Sequence, residues 1–228
     1  GYIVNACASI ESLKDTEELM EQYPFVYGAF GIHPDDAEKM TEETLEEIRQ
    51  LSRLPKAVAI GEIGLDYYWH KEEHEHEIQK KMFLAQMEIA REEKLPFMVH
   101  SRDAAKDTLD LVKDCMKGGM YGGIIHCFSY GKEMAREYLD MGLYLGIGGV
   151  VTFKNAKKLK EVVAYAPLEQ LVLETDSPYL SPEPNRGKRN SSLNLPYVAE
   201  AIAQIKGCSE EEVIAVTEEN AKKLLLRK

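Results

Sequence analysis

Four residues in this chain close apolar runs with side chains able to hold a divalent cation. Glu62 follows Ala-Val-Ala-Ile-Gly, His100 follows Pro-Phe-Met-Val, His126 follows Gly-Ile-Ile, and Asp176 follows Leu-Val-Leu-Glu-Thr. Two neutral imidazoles and two carboxylates suit a borderline ion such as Zn2+ or Mn2+, and the carboxylates also suit Mg2+. A carboxylate can bridge two ions, so Glu62 could hold a two-metal cluster together. Each residue alone has a plainer reading. A lone His at a strand end is more often a hydrogen-bonded structural residue, and an Asp before Ser-Pro more often a turn or cap. Convergence of all four on one end of one fold tips the balance toward metal, because partly buried charges are normally paired or metal-bound.

The elements that must position them alternate along the whole chain. Apolar runs predict strands at Tyr2–Ala6, Val26–Ile32, Ala57–Ile63, Pro96–His100, Gly122–His126, Leu143–Ile147 and Leu171–Glu174. Most are continuous rather than alternating, the pattern of parallel strands covered on both faces. Helical stretches lie between them: Glu11–Gln22, Glu42–Arg53, Glu72–Lys94, Ala104–Lys117, Lys132–Met141 and Ala156–Tyr165. Helices at Leu195–Lys206, Glu210–Val216 and Glu218–Arg227 follow, the second opened by a Ser209/Glu212 capping box. Regular βα alternation implies parallel strands with right-handed crossovers. A Gly-rich phosphate loop after the first strand is absent, and candidate ligands follow several different strands; both favour an α/β TIM-barrel type over an open doubly wound sheet. No linker interrupts the chain, so a single domain over residues 1–228 is expected.

A (β/α)8 barrel of about 250 residues has eight units of roughly 31 residues each. Seven strands are recognisable here, so the first βα unit is expected to be missing. The strands at Tyr2 and Glu174 would then be edges, open to association or local disorder.

Composition narrows the functional classes. A net charge of −11 argues against coating nucleic acid through the overall field, though not against a local phosphate-binding cleft. The four cysteines lack C-x-x-C spacing and are expected to be reduced. No run of 18 apolar residues and no signal peptide is visible, so no membrane partner and a cytoplasmic location are the expectations.

Taken in order, Gly61-Glu62-Ile63-Gly64-Leu65-Asp66-Tyr67-Tyr68, His100-Ser101-Arg102-Asp103-Ala104, His126-Cys127-Phe128-Ser129 and Glu174-Thr175-Asp176-Ser177-Pro178-Tyr179 closely resemble the motifs of the TatD family of metal-dependent deoxyribonucleases. Gly31-Ile32-His33-Pro34 and Arg186-Gly187-Lys188-Arg189-Asn190 match two further blocks. The resemblance runs from about residue 2 to the C-terminus. It implies a TIM-barrel member of the amidohydrolase superfamily acting on DNA ends. Glu62 would bridge two metals, His100 and His126 would complete one ion's shell, and Asp176 would bind the other and handle the proton. Two divalent ions (Mg2+, Mn2+ or Zn2+) are implied.

Two departures stand out. The family carries a His-x-His pair at the end of its first strand. Here the only His-x-His, His74 and His76, sits in a charged helix start flanked by Glu72, Glu73, Glu75 and Glu77, and reads as a solvated face. At most one well-bound ion and low activity are therefore expected. The basic block is also followed by Ser191-Ser192 instead of Glu-Pro, which bears on loop geometry rather than on the metal site.

Among the remaining candidates, His33 closes a strand and is either a substrate contact or a hydrogen-bonded core residue. Arg102 suits a phosphodiester oxygen through its planar guanidinium. Arg186, with Lys188 and Arg189, forms a basic loop where barrels often bind phosphate. Tyr67, Tyr68 and Trp69 either stack unpaired bases or pack their loop. Asp66 is a candidate acceptor orienting a ligand, and Cys127 is given no role.

The reaction expected is metal-assisted hydrolysis of DNA phosphodiesters, single-stranded or at ends, through activated water, with Glu62 and Asp176 catalytic. The alternatives are a small-ester or amide hydrolase of the amidohydrolase type, and an inactive truncated barrel. Fold alone does not decide among them.

Overall fold

The computed structural model describes residues 1–226. It divides between Ile124 and Ile125 into two compact units.

The first unit comprises β1 (Ile3–Ala6), α1 (Ile10–Gln22), β2 (Val26–Phe30), α2 (Glu42–Leu51), β3 (Ala57–Asp66), α3 (Glu73–Glu92), β4 (Phe97–Arg102), α4 (Ala105–Lys117) and the start of β5 (Gly123–Ile125). Local chemistry sets the helix starts. Ser9 and Ser12 form a reciprocal capping box at α1, and Thr41 and Thr44 do the same at α2. Leu13, Thr16 and Met20, at helical spacing, form the buried stripe of α1. β1 pairs β2 from Ile3↔Val26 to Ala6↔Ala29, and β3 pairs β4 at Gly64↔His100 and Asp66↔Arg102, all parallel. At the start of β1, Tyr2 and Ile3 are 53% and 40% exposed.

α3 does more than cover the sheet. The Gln86 side chain accepts from Ile32 N at 2.7 Å and donates to Ile32 O at 3.2 Å. Seven residues earlier, on the same helix face, Gln79 accepts from Asp66 N at 2.9 Å and donates to Asp66 O at 3.1 Å. A strand end has fewer ladder partners to offer its backbone groups, and a buried unpaired amide is costly. Two buried side-chain amides take that place.

The second unit contains α5 (Lys132–Asp140), β6 (Tyr144–Ile147), α6 (Lys157–Tyr165), β7 (Leu171–Leu173), α7 (Leu195–Lys206) and α8 (Glu210–Leu225). β6 and β7 pair parallel from Leu145↔Leu171 to Ile147↔Leu173. Asn220 of α8 donates to Leu168 O and Leu171 O at 2.9 and 2.8 Å, tying that helix to the start of β7. α7 ends at Gly207, whose φ of 69° is the left-handed conformation glycine adopts without strain.

The strands observed are the seven expected, alternating with helices in the α/β, TIM-barrel manner. One boundary differs. The two helices expected on either side of Thr217 are a single helix, α8, which accommodates Thr217 in its interior with the hydroxyl donating to Val213 O at 2.7 Å. Ser209 accepts from Glu212 N at 3.2 Å, which is one half of the expected capping box, and Arg227 lies outside the described residues. Among the described residues no helix is long and apolar enough to cross a membrane.

Candidate metal centre

β3 and β4 carry the first group of donors. His100 Nδ1 lies 3.0 Å from Glu62 Oε1, and His100 Nε2 lies 3.0 Å from Asp66 Oδ2. One carboxylate thus faces each ring nitrogen. Asp66 is 1% exposed, while Glu62 and His100 are partly open to solvent. Burial disfavours the charged ring, but Asp66 and Glu62 outweigh it and raise the His100 pKa to about 9. The two carboxylates draw counter-charge from the imidazole that lies between them. Burial likewise acts to raise Asp66, yet its bonds to His100 and the Trp69 amide hold it below the usual carboxylate range.

Register explains the closeness. Gly64 pairs with His100 and has φ of 144°, and a Cβ there would sit 1.9 Å from the His100 carbonyl oxygen. Only glycine lets the two strands approach this closely.

His33 joins this group. Its Nε2 is 3.9 Å from Glu62 Oε1, its ring meets that of His100 edge-on at 4.3 Å, and donor atoms of His33, Glu62 and His100 lie within 4.8 Å of one another. The Asp35 backbone N–H donates to His33 Nδ1 at 3.2 Å. Nδ1 also lies 3.4 Å from Asp35 Oδ2, so Asp35 occupies that side of the ring and Nε2 is the nitrogen turned toward Glu62.

The second unit builds a similar group. His126 Nδ1 lies 2.8 Å from Glu174 Oε2, and His126 Nε2 lies 3.1 Å from Asp176 Oδ1. The other Glu174 oxygen accepts from Cys127 N at 2.8 Å. Gly146 leaves room for that carboxylate, since a Cβ there would meet Glu174 Oε2 at 2.1 Å. Asp176 has φ of 56°, an uncommon backbone state for a non-glycine residue. Its loop is clamped by buried Asn190, which donates to Thr175 O and Tyr179 O at 2.6 and 2.8 Å.

The four expected ligands therefore occur as two close pairs, Glu62 with His100 and His126 with Asp176. In each, the histidine has one nitrogen toward the expected ligand carboxylate and the other toward a second carboxylate. That is how metal-ligating imidazoles are commonly held, with one N–H on an outer carboxylate that fixes tautomer and ring angle. Asp66 takes the outer position as anticipated. Glu174 was not anticipated, although its place two residues before Asp176 was the available signal.

The other expected contacts are also located. Arg102 lies over Tyr68, its Cζ 3.9 Å from the ring centroid. Arg186 lies 4.1 Å over Phe153 and 3.9 Å from Glu183. His76 corrects the solvated reading of its helix face. It stacks on Tyr67 at 3.6 Å and bonds His70 O, so only His74 of that pair is exposed. Tyr67 packs its loop and donates to Asp107 at 2.8 Å.

The chain is similar to known proteins over nearly its whole length. The “TatD related DNase” family profile matches residues 1–226. The chain is 50% identical over 208 residues to the “Uncharacterized metal-dependent hydrolase YabD” of Bacillus subtilis (strain 168), covering 91% of this chain and 80% of that protein. It is 35% identical over 230 residues to the “3'-5' ssDNA/RNA exonuclease TatD” of Citrobacter rodentium (strain ICC168), covering 98% and 86%. The crystal structure of YJJV, a TatD homolog from Escherichia coli K12, matches with a TM-score of 0.91 at 28% identity, over 100% of this chain and 87% of that one. The chain belongs to the TatD-related DNase family of metal-dependent hydrolases.

Proposed function

We propose that this chain hydrolyses phosphodiester bonds of DNA, single-stranded or at ends, with Glu62, His100, His126 and Asp176 as metal ligands. The observation that carries the metal reading is the doubly flanked histidine. His100 and His126 each present one nitrogen beside a candidate ligand carboxylate while a second carboxylate orients the ring. Mg2+, Mn2+ and Zn2+ all suit such donors. A relative at 35% identity named as a 3'-5' ssDNA/RNA exonuclease supports nucleic acid as the substrate class.

A divalent ion bound by either pair would supply Lewis acidity and lower the pKa of water near it. The chain's own groups do the rest. Asp66 and Glu174 keep the imidazoles in one tautomer and orientation. His33, through the Nε2 turned toward Glu62, contacts a non-bridging phosphate oxygen, and Arg102 offers a planar cation to the same anion. Asp176 accepts the proton of the attacking water. Arg186 contacts phosphate further along the strand.

The test is a Mn2+-dependent assay on a single-stranded oligonucleotide and on a simple ester and amide panel. Cleavage of the oligonucleotide alone is the expected result. Turnover of the small esters or amides without the oligonucleotide would favour the metabolite hydrolase, and no turnover of either would favour an inactive chain.

A further inference from the structure

The turn after β3 carries exposed aromatic rings, with Arg102 over them, that the proposed hydrolysis leaves without a role. Trp69, the only tryptophan of the chain, is 65% exposed, and Tyr68 is 41% exposed. Their rings meet edge-on at 4.7 Å. The Arg102 guanidinium lies 3.9 Å over Tyr68 and 5.6 Å from Trp69, and Lys71 Nζ lies 5.2 Å from Tyr68. Among the described residues Arg102 has no carboxylate partner, although the chain has 39 acidic residues to pair it.

This cluster is built, not loose. Buried Asp66 accepts from Tyr68 N at 2.9 Å and Trp69 N at 3.0 Å through one oxygen, while the other faces His100. Tyr67 N donates to Arg102 O at 2.9 Å. One carboxylate therefore fixes both the candidate ligand His100 and the turn that displays the rings. Arg102 stands two residues beyond His100 on β4, about 6.6 Å along the strand. Rings serving only to pack a loop would be covered, as Tyr67 is by His76. Large aromatics held rigidly at the surface beside an unpaired guanidinium are what a base-stacking site requires.

We propose that Trp69, Tyr68 and Arg102 form a nucleotide subsite of the phosphodiesterase proposed above. An unpaired base stacks on Trp69 and Tyr68, and its phosphate meets Arg102 and Lys71. The subsite rests on that reading for its substrate, and it implies preference for unpaired over duplex strands, because paired bases do not offer their faces. Stacking tolerates every base, so it selects strandedness rather than sequence.

Trp69 is its own reporter. Its emission can be titrated in Mg2+ with a phosphorothioate oligothymidylate and with an abasic phosphorothioate of the same length. The oligothymidylate is expected to quench saturably, and the abasic strand to bind at least about tenfold more weakly, as loss of base stacking predicts. Tyr68→Ala should weaken oligothymidylate binding, with Tyr68→Phe restoring it and excluding a folding defect. Arg102→Ala should weaken both oligonucleotides. Equal binding of thymidylate and abasic strands, or no quenching, overturns the subsite. The Mn2+ nuclease assay separates the two readings. Cleavage without quenching leaves the nuclease and removes the subsite, whereas quenching without cleavage leaves nucleotide binding and removes the nuclease.

Discussion

Asp66 Oδ2 stands 3.0 Å from His100 Nε2, and its carboxylate is almost completely enclosed. An enclosed acceptor on one imidazole nitrogen fixes which nitrogen remains for a cation, and here that is Nδ1, on the Glu62 side.

Asp66→Asn should therefore weaken divalent binding by about 10–100-fold, the usual cost of removing an outer acceptor. Calorimetric titration with Mn2+ or Zn2+ checks this without reference to turnover. Unchanged affinity would mean that Asp66 serves the turn alone.

Gly64→Ala places a methyl 1.9 Å from the His100 carbonyl oxygen at a φ of 144°. The strands cannot separate without losing ladder bonds, so a loss of about 3 kcal/mol or more is expected. Urea denaturation measures it, and a loss below about 1 kcal/mol would show that β3 and β4 yield more readily than their register suggests.

Asp176→Asn replaces a proton acceptor and anionic ligand by an amide of nearly the same shape. Hydrolysis should nearly vanish while stability stays within about 2 kcal/mol of the parent. Retention of more than a tenth of kcat would reduce Asp176 to a turn residue.

Cys7 gives a pH dependence with a definite sign. Burial is the main cause raising its thiol from 9.0 to about 11, against opposing bonds to Thr16 and Ser12. A raised folded pKa means the neutral thiol is favoured in the fold. Its contribution is complete below pH 9 and is lost as pH rises through about 11. Cys7→Ala should lack that part of the alkaline loss in denaturation curves. At pH 8 Cys7 should also be the slowest of the cysteines to alkylate, which peptide mass spectrometry resolves.

Sequence alone determined the element order, because hydrophobic periodicity and capping residues are local signals. Continuous apolar runs marked β1 through β7 to within a few residues, and Ser9, Thr41 and Ser209 sit where helices begin. It also determined the identity of the candidate ligands, since a charged residue ending an apolar strand is conspicuous without any coordinates. What only the tertiary structure decided is how those residues are held. Gln79 and Gln86 looked like ordinary helix residues, yet they complete the backbone bonding of strand ends far away in sequence. Glu174 was hidden within a strand end until it was seen on His126. His76 looked solvated until Tyr67 was found stacked on it. The reason is common to all of these. Periodicity reports which face a side chain takes on its own element, whereas a hydrogen-bond partner is set by register and helix placement between elements, and a shift of one residue would move each of these contacts to another face.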